Sequence, residues 1–178
     1  GGGGGGGGGG RGLLRALTNI GEEPAHLAAS RDHVSCLRFL LSQGGVETGA
    51  RIQGGGRETC AHVAARCGHV GCLETLHAAG DSLEAVTADG ETVMHLAARS
   101  GKVDVVRWLL HTVPHLHSAR DPTGATPAHS AASHGHVTAL AALVAHEAGA
   151  GNVRNGDGDT LLHAAALGGD VGCVTWVV

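Results

Sequence analysis

Apolar positions along this chain follow a short pattern that begins again four times. An alanine-rich stretch with helical spacing leads to a tight turn, then to a longer segment whose Val and Leu fall on one helical face, then to a polar stretch rich in Gly, Asp and Asn. The segments His26-Leu-Ala-Ala29, His62-Val-Ala-Ala65, His95-Leu-Ala-Ala98, His129-Ser-Ala-Ala132 and His163-Ala-Ala-Ala166 set their histidines 36, 33, 34 and 34 residues apart. Six residues after each histidine stand Asp32, Gly68, Gly101, Gly135 and Gly169, and eight after come Val34, Val70, Val103, Val137 and Val171. Fourteen after, Leu40, Leu76, Leu109, Leu143 and Val177 mark the ridge of a second helix. A period of this length overrides an ordinary domain reading and predicts stacked units, each a short helix, a glycine turn, a longer amphipathic helix and a loop.

Helix starts recur with the same regularity. Thr59, Thr92, Thr126 and Thr160 sit three residues before their histidines, where a hydroxyl can cap the free N–H groups of a first turn. Pro24 and Pro127 hold the first helical position, where a missing N–H costs nothing. Thr126-Pro-Ala-His129 with Ala131, Ala132, Gly135 and His136, and Thr160-Leu-Leu-His163 with Gly169, resemble the ankyrin repeat, whose usual wording is Thr-Pro-Leu-His, two alanines and Gly-His. The resemblance covers about residues 21–178 and implies an all-α solenoid of helix-turn-helix units joined by β-hairpin-like loops. It also implies that His26, His62, His95, His129 and His163 are structural, each ring bonding a capping group and the backbone of an adjoining loop. Cys36-Leu-Arg-Phe-Leu-Leu41 and Gly124-Ala-Thr-Pro-Ala-His129 resemble wording of the espin group of actin-bundling proteins. No actin-binding segment is readable, so no actin role is carried over.

The units divide at about 21–56, 57–87, 88–120, 121–155 and 156–178, the last incomplete, behind a glycine-rich segment at 1–12. Leu13, Leu14, Leu17 and Ile20 keep helical spacing within 13–20 and read as the remnant of a preceding unit's second helix. The first unit has Glu23 in place of Thr and Asp32 in place of Gly, which predicts a weaker cap and a less relaxed turn. Gly44 to Gly56 is longer than the pattern, and His111 to His117 around Pro114 reads as an irregular loop. Solenoids usually end in polar capping units, whereas Trp176, Val177 and Val178 are apolar, so the sequence reads as a fragment of a longer protein.

The only aromatic side chains of the Phe, Trp and Tyr class are Phe39, Trp108 and Trp176, so the core must be built from Ala, Leu and Val. With 12 Lys+Arg against 16 Asp+Glu, the net charge of −4 gives no footprint for nucleic acid or an anionic membrane. No run reaches the ~18 apolar residues of a membrane span, and the start lacks a signal-peptide layout. Five irregularly spaced cysteines fit reduced thiols, and the expected location is the cytoplasm, with the nucleus open as a second compartment.

Candidate chemistry is weighed against the repeat. Cys60, His62, Cys67, His69 and Cys72 crowd soft ligands into 13 residues, as a metal site would. Yet Cys36, Cys72 and Cys173 share one repeat position, which favours small apolar fillers of a helix interface, and His62 and His69 occupy positions that hold histidine in other units. His111, His115 and His117 form the histidine group outside the frame, read as a solvated loop with a weak metal or pH-sensitive contact as the alternative. Gly54-Gly-Gly56 lacks a P-loop ending, and no nucleophile elbow, zincin pair or kinase signature is present. No catalytic, cofactor-binding or metal-binding residue is assigned.

Positions that vary while the frame stays constant are those released from packing; in ankyrin proteins such residues line loop tips and the concave side of the first helices. Four and five residues after the histidines lie Ser30 and Arg31, Arg66 and Cys67, Arg99 and Ser100, Ser133 and His134, Leu167 and Gly168. Four before them lie Glu22, Glu58, Glu91, Ala125 and Asp159, joined by Asp89 and Asp157. Two readings stand: a groove whose arginines grip acidic or C-terminal carboxylate groups of a partner protein, or two rows neutralising one another as exposed ion pairs. The expected function is a non-enzymatic protein interaction module or scaffold, with no nucleic acid, membrane or small-molecule substrate as partner. The alternative is a regulatory region of a larger enzyme whose catalytic part lies outside this sequence.

Overall fold

The computed structural model describes residues 18, 22–43, 51–52, 56–146 and 152–178. The glycine tract, the helical spacing of Leu13, Leu14, Leu17 and Ile20, and most of the long Gly44–Gly56 stretch lie outside the described residues. The described helices run α1 (Pro24–Ser30), α2 (Val34–Ser42), α3 (Cys60–Cys67), α4 (Val70–Ala78), α5 (Val93–Arg99), α6 (Val103–Thr112), α7 (Pro127–Ser133), α8 (Val137–His146), α9 (Leu161–Gly168) and α10 (Val171–Val177). A 3-10 turn, Pro114–Ser118, follows α6. Odd-numbered helices stack on one another, even-numbered helices form a second layer, and each pair closes as a hairpin. The all-α solenoid expected from the period is what the chain forms.

Small side chains set the layer spacing. Ala25, Ala28, Ala29, Ala61, Ala64, Ala65, Ala97, Ala98, Ala131 and Ala132 are buried where successive first helices meet. Leu37, Leu73, Leu76, Leu109, Leu140 and Leu143 fill the second layer. Burying a leucine contributes about 1.5–3 kcal/mol, but a single helix pair has no opposite face to bury it against, so stability accrues only as units stack.

Two backbone slots explain the recurring glycines. The residue six after each histidine ends the first helix in the left-handed region, with φ of +95° at Gly68, +65° at Gly101, +76° at Gly135 and +72° at Gly169. The next N–H then reaches back to the helix: His69 to Ala64, Lys102 to Ala97 and His136 to Ala131, at 2.9–3.0 Å. Asp32 takes the same conformation at φ +57°, so the first unit keeps the turn with a residue that tolerates it less well than glycine. Five residues before the histidines, Gly90, Gly124 and Gly158 hold φ of +73°, +75° and +86° in the loop tips, and Arg57 occupies that slot at +54°.

Loops between units are narrow hairpins. Thr87 N–H donates to Glu91 O at 2.9 Å, Asp121 N–H to Ala125 O at 3.0 Å, and Asn155 N–H to Asp159 O at 2.9 Å. The hairpin of the second unit closes between Ile52 and Glu58, two residues wider, which accounts for the longer first interval. Adjacent hairpins also bond: Ala88 N–H to Gly56 O at 2.7 Å and Gly156 N–H to Thr123 O at 2.8 Å. Pro122 stands at the corresponding position of the intervening pair and has no N–H to give, so that rung is absent. The proline ring packs instead against Gly90, where an added Cβ would come within 2.5 Å of its Cδ.

Three local expectations are corrected. Glu23 completes a capping box with His26 in threonine's place, its backbone N–H donating to His26 Nδ1 at 3.3 Å, so the first helix is capped like the others. His111 lies inside α6, and His115 and His117 lie in the 3-10 turn, anchored by buried Leu116, rather than in an irregular loop. Cys36 is exposed, unlike buried Cys72 and Cys173. Cys72 faces the preceding unit, its Sγ 3.6 Å from Asp32 Oδ1, and no unit is described before Cys36.

Replacing Arg57 by glycine is expected to raise stability by about 1 kcal/mol, because left-handed backbone costs an L-residue roughly 1–2 kcal/mol. Gly124→Ala is expected to lower it by more, since its Cβ would sit 2.6 Å from the backbone N of Gly156. Urea midpoints that move in opposite directions verify the slot; equal shifts contradict it.

Candidate functional site

The threonine–histidine pairs are the most repeated polar geometry in the chain. Thr59, Thr92, Thr126 and Thr160 place Oγ1 2.8–2.9 Å from Nδ1 of His62, His95, His129 and His163. Each threonine also donates its backbone N–H to that Nδ1 at 3.2–3.3 Å. A ring nitrogen that accepts a backbone N–H carries no proton, which puts the proton on Nε2. From there His95 donates to Ala125 O at 3.1 Å and His129 to Asp159 O at 3.2 Å, each in the hairpin of the next unit. The same nitrogen of His62 faces the carbonyls of Ala85 and Glu91 without closing a hydrogen bond of ordinary geometry. His163, with no described unit beyond it, is exposed. His69 ties its unit back to the first through Nε2 and Ser30 O, 3.2 Å apart. The imidazoles are thus brackets between units, and they do not converge on one pocket.

Burial lowers the pKa of His62 to about 4, and burial likewise holds His95 and His129 below the ordinary histidine value. Burial pushes the thiols of Cys60 and Cys72 up to about 12 and that of Cys173 to about 11, which makes them poor nucleophiles. Among the described residues, no three His, Cys, Asp or Glu side chains gather into a group that could hold a metal ion. His115 Nε2 reaches Glu84 Oε1 of the preceding hairpin at 3.1 Å, while the ring of His117 meets that of His146 on the following unit, centroids 5.2 Å apart.

The two rows of charge lie side by side and touch. Arg66 meets Glu58 at 3.0 Å, and Arg99 meets Glu91 at 3.2 Å. Arg66 is therefore an exposed cation already engaged, and Arg99 a half-buried one at the edge of a buried Glu91, whose pKa burial raises and Arg99 lowers. Arg31 has no ion-pair partner among the described residues and lines a separate hollow with Leu27, Cys36 and Leu40. Asp89 and Asp157 are exposed at the hairpin tips. On the inner side of units three to five a hollow of about 280 Å³ brings together Glu91, Arg99, Ser133, His134 and Asp159 from the expected set. Asp121 and Leu167 complete it. Ser133 and His134 are bonded to each other at 3.0 Å, and the His134 ring lies 3.0 Å from Ser130 O.

Sequence reasoning passed over the residue eight before each histidine. Asp121 Oδ1 accepts from Thr123 N, Thr123 Oγ1 and Ala125 N at 2.8, 2.6 and 3.0 Å. Asn155 Oδ1 accepts from Asp157 N and Asp159 N at 3.0 and 2.7 Å, and Thr87 Oγ1 from Glu91 N at 3.2 Å. Each folds its hairpin from within. Arg120 was also overlooked; its NH1 bonds Gly124 O at 2.6 Å and Arg154 O of the next hairpin at 2.8 Å.

Two family models match this geometry: ankyrin repeats (3 copies) over residues 26–118, and ankyrin repeats (many copies) over 94–144 and 128–178. The chain belongs to the ankyrin-repeat family. Ankyrin repeats are in general protein–protein interaction modules and typically non-catalytic. These matches assign no group within the family, and a search of curated proteins returned no match. No helix among the described residues is long and apolar enough to cross a membrane.

Acid is expected to loosen the array. Between pH 6.5 and 4 the unfolded chain takes up a proton at His62 that the folded one refuses, so stability present above pH 6.5 is lost as pH falls, by about 3 kcal/mol at this site. Asp81 acts with the opposite sign: buried, its carboxyl is held up at about 6 and regains stability below that pH. Asp81→Asn is therefore expected to be more stable than the parent at pH 7 and to lose stability more steeply between pH 6 and 4. Denaturant midpoints across that range check the sign; a flatter profile for the variant contradicts it.

Proposed function

We propose that this chain is a protein-interaction module that holds an extended partner segment along its concave row and hairpin tips. The observation that carries this is a division of labour within each unit. The recurring residues are interior ones, Thr59, Thr92, Thr126, His62, His95 and His129 all being buried with their alanines. Most of the non-recurring residues are accessible: Arg66, Asp89, His134, Asp157 and Leu167 are exposed and Ser133 half-buried, whereas Glu91 is buried. Because the frame is rigid and repeated, side chains released from packing can vary freely without unfolding it, which makes them the place where specificity is written. Rigid helices under short hairpins also reduce the ordering cost of binding. The five free thiols favour a reducing compartment, the cytoplasm, as the place of work.

Arg66 and Arg99 being paired argues against a partner recognised mainly through its own carboxylates, which would have to displace Glu58 and Glu91. Peptides selected from a displayed random library against the folded chain test the proposal. They are expected to lose at least tenfold in affinity on a His134→Ala/Leu167→Ala double variant, and to be unaffected by Arg107→Ala on the exposed outer side of α6. Equal affinity for both variants and the parent would overturn it.

A further inference from the structure

The concave hollow of units three to five carries a charge imbalance that its own side chains do not cancel. Glu91 is met by Arg99 at 3.2 Å. Asp121 and Asp159 line the same hollow and have no ion-pair partner among the described residues. Asp121 is held ionised: burial pushes its carboxyl up, but the bonds from Thr123 and Ala125 together outweigh that and keep it below the usual carboxylate range. Those bonds converge on Oδ1, and no hydrogen bond reaches Oδ2 among the described residues. Among the described residues the Asp159 carboxylate receives only the Asn155 amide, on Oδ2 at 3.3 Å, while its backbone carbonyl takes the His129 bracket.

Beside these carboxylates lies an independent feature of opposite character. Leu167 is 81 % exposed, and with Ala164 it forms an apolar wall to the same hollow. In the other units the equivalent positions hold Ser30, Arg66, Arg99 and Ser133, which are polar, so the apolar wall is specific to this end. The volume of about 280 Å³ lies at the small end for organic ligands and suits a side chain entering from an extended backbone. Anionic floor and apolar wall together match one kind of side chain, a methylene stem ending in a cation.

Resting on the interaction-module reading above, we infer that this hollow receives a lysine or arginine side chain of an extended partner segment, its methylenes against Leu167 and Ala164 and its cationic head toward the Asp121 and Asp159 carboxylates. A guanidinium gains the most, because the open Oδ2 of Asp121 and the carboxylate of Asp159 offer separate acceptors to its fork of donors. An acidic side chain would meet both carboxylates, and a neutral aliphatic one would leave them unmatched. Arg99 does not compete, since its own charge is already met by Glu91.

The test uses peptides selected from the displayed library and resynthesised with each basic residue changed in turn to norleucine and to glutamate. One basic position is expected to dominate, with at least a tenfold loss on norleucine and a larger loss on glutamate. The parent complex is expected to shift the amide resonances of Ser133, His134 and Leu167. The Asp121→Asn/Asp159→Asn variant keeps the side-chain oxygens that fold the hairpins and is expected to abolish the preference for arginine over norleucine. Leu167→Ala, at an exposed position, is expected to weaken the basic peptide severalfold without changing the melting temperature. Selected peptides that bind the groove without a basic residue, or whose arginine preference survives the double variant, would overturn the cation pocket and leave the interaction module standing. A library that yields no groove binder would overturn both.

Discussion

Every part of this molecule depends on one constraint: a helix pair of about thirty residues cannot bury its apolar face alone. The neighbouring unit must supply the other half, and the contact must repeat without cumulative error. Alanine on the first helices keeps the layers close, and close layers bring the hairpin of one unit within hydrogen-bond reach of the imidazole of another. The His95 and His129 rings use that proximity, fastening inward to their own threonine and outward to the next hairpin. One side chain therefore fixes a helix start and an interface in the same act. The cost is desolvation of an imidazole, and the depressed pKa of His62 measures it.

A frame held by interior repeats leaves its surface unconstrained, and the charges show what that freedom permits. In units two and three an arginine and a glutamate close on each other, so these units present a neutralised inner side. In units four and five the arginine positions become Ser133 and Leu167; Asp159 keeps the acidic position, Ala125 replaces it in unit four, and Asp121 adds a carboxylate where unit three has Thr87. The same backbone thus changes from self-paired to unbalanced along its length. The missing rung at Pro122 falls between units three and four, next to where that change begins.

Much of this was legible in the sequence because periodicity turns one pattern into five tests of itself. The threonine caps and the tight turn after each first helix followed from spacing, and the bonding of each histidine ring to its cap from the ankyrin resemblance. Arg57 and the row of Thr87, Asp121 and Asn155 were equally readable, since each stands at a constant distance from a motif histidine; the frame simply had to be extended backwards into the hairpins. The destination of the arginines was not readable. A row of cations beside a row of anions has two outcomes of similar energy, and only the 3.0 and 3.2 Å separations decide between them. Nor could composition foresee that His111 continues α6 while Pro114 opens a 3-10 turn, because proline permits either a loop or a helix start. Glu23 was misjudged for a related reason: its carboxylate can accept the same cap hydrogen bond as a threonine hydroxyl.

The central claim is that buried imidazoles, neutral and protonated at Nε2, couple each unit to the next. Long-range proton–nitrogen NMR of the histidine rings, followed through a pH titration, reads both properties site by site. His95 and His129 are expected to hold the Nε2–H form and to take up their protons below the ordinary histidine range, because burial disfavours the charged ring. Nδ1–H rings at those two positions, or midpoints at the ordinary histidine value, would contradict it.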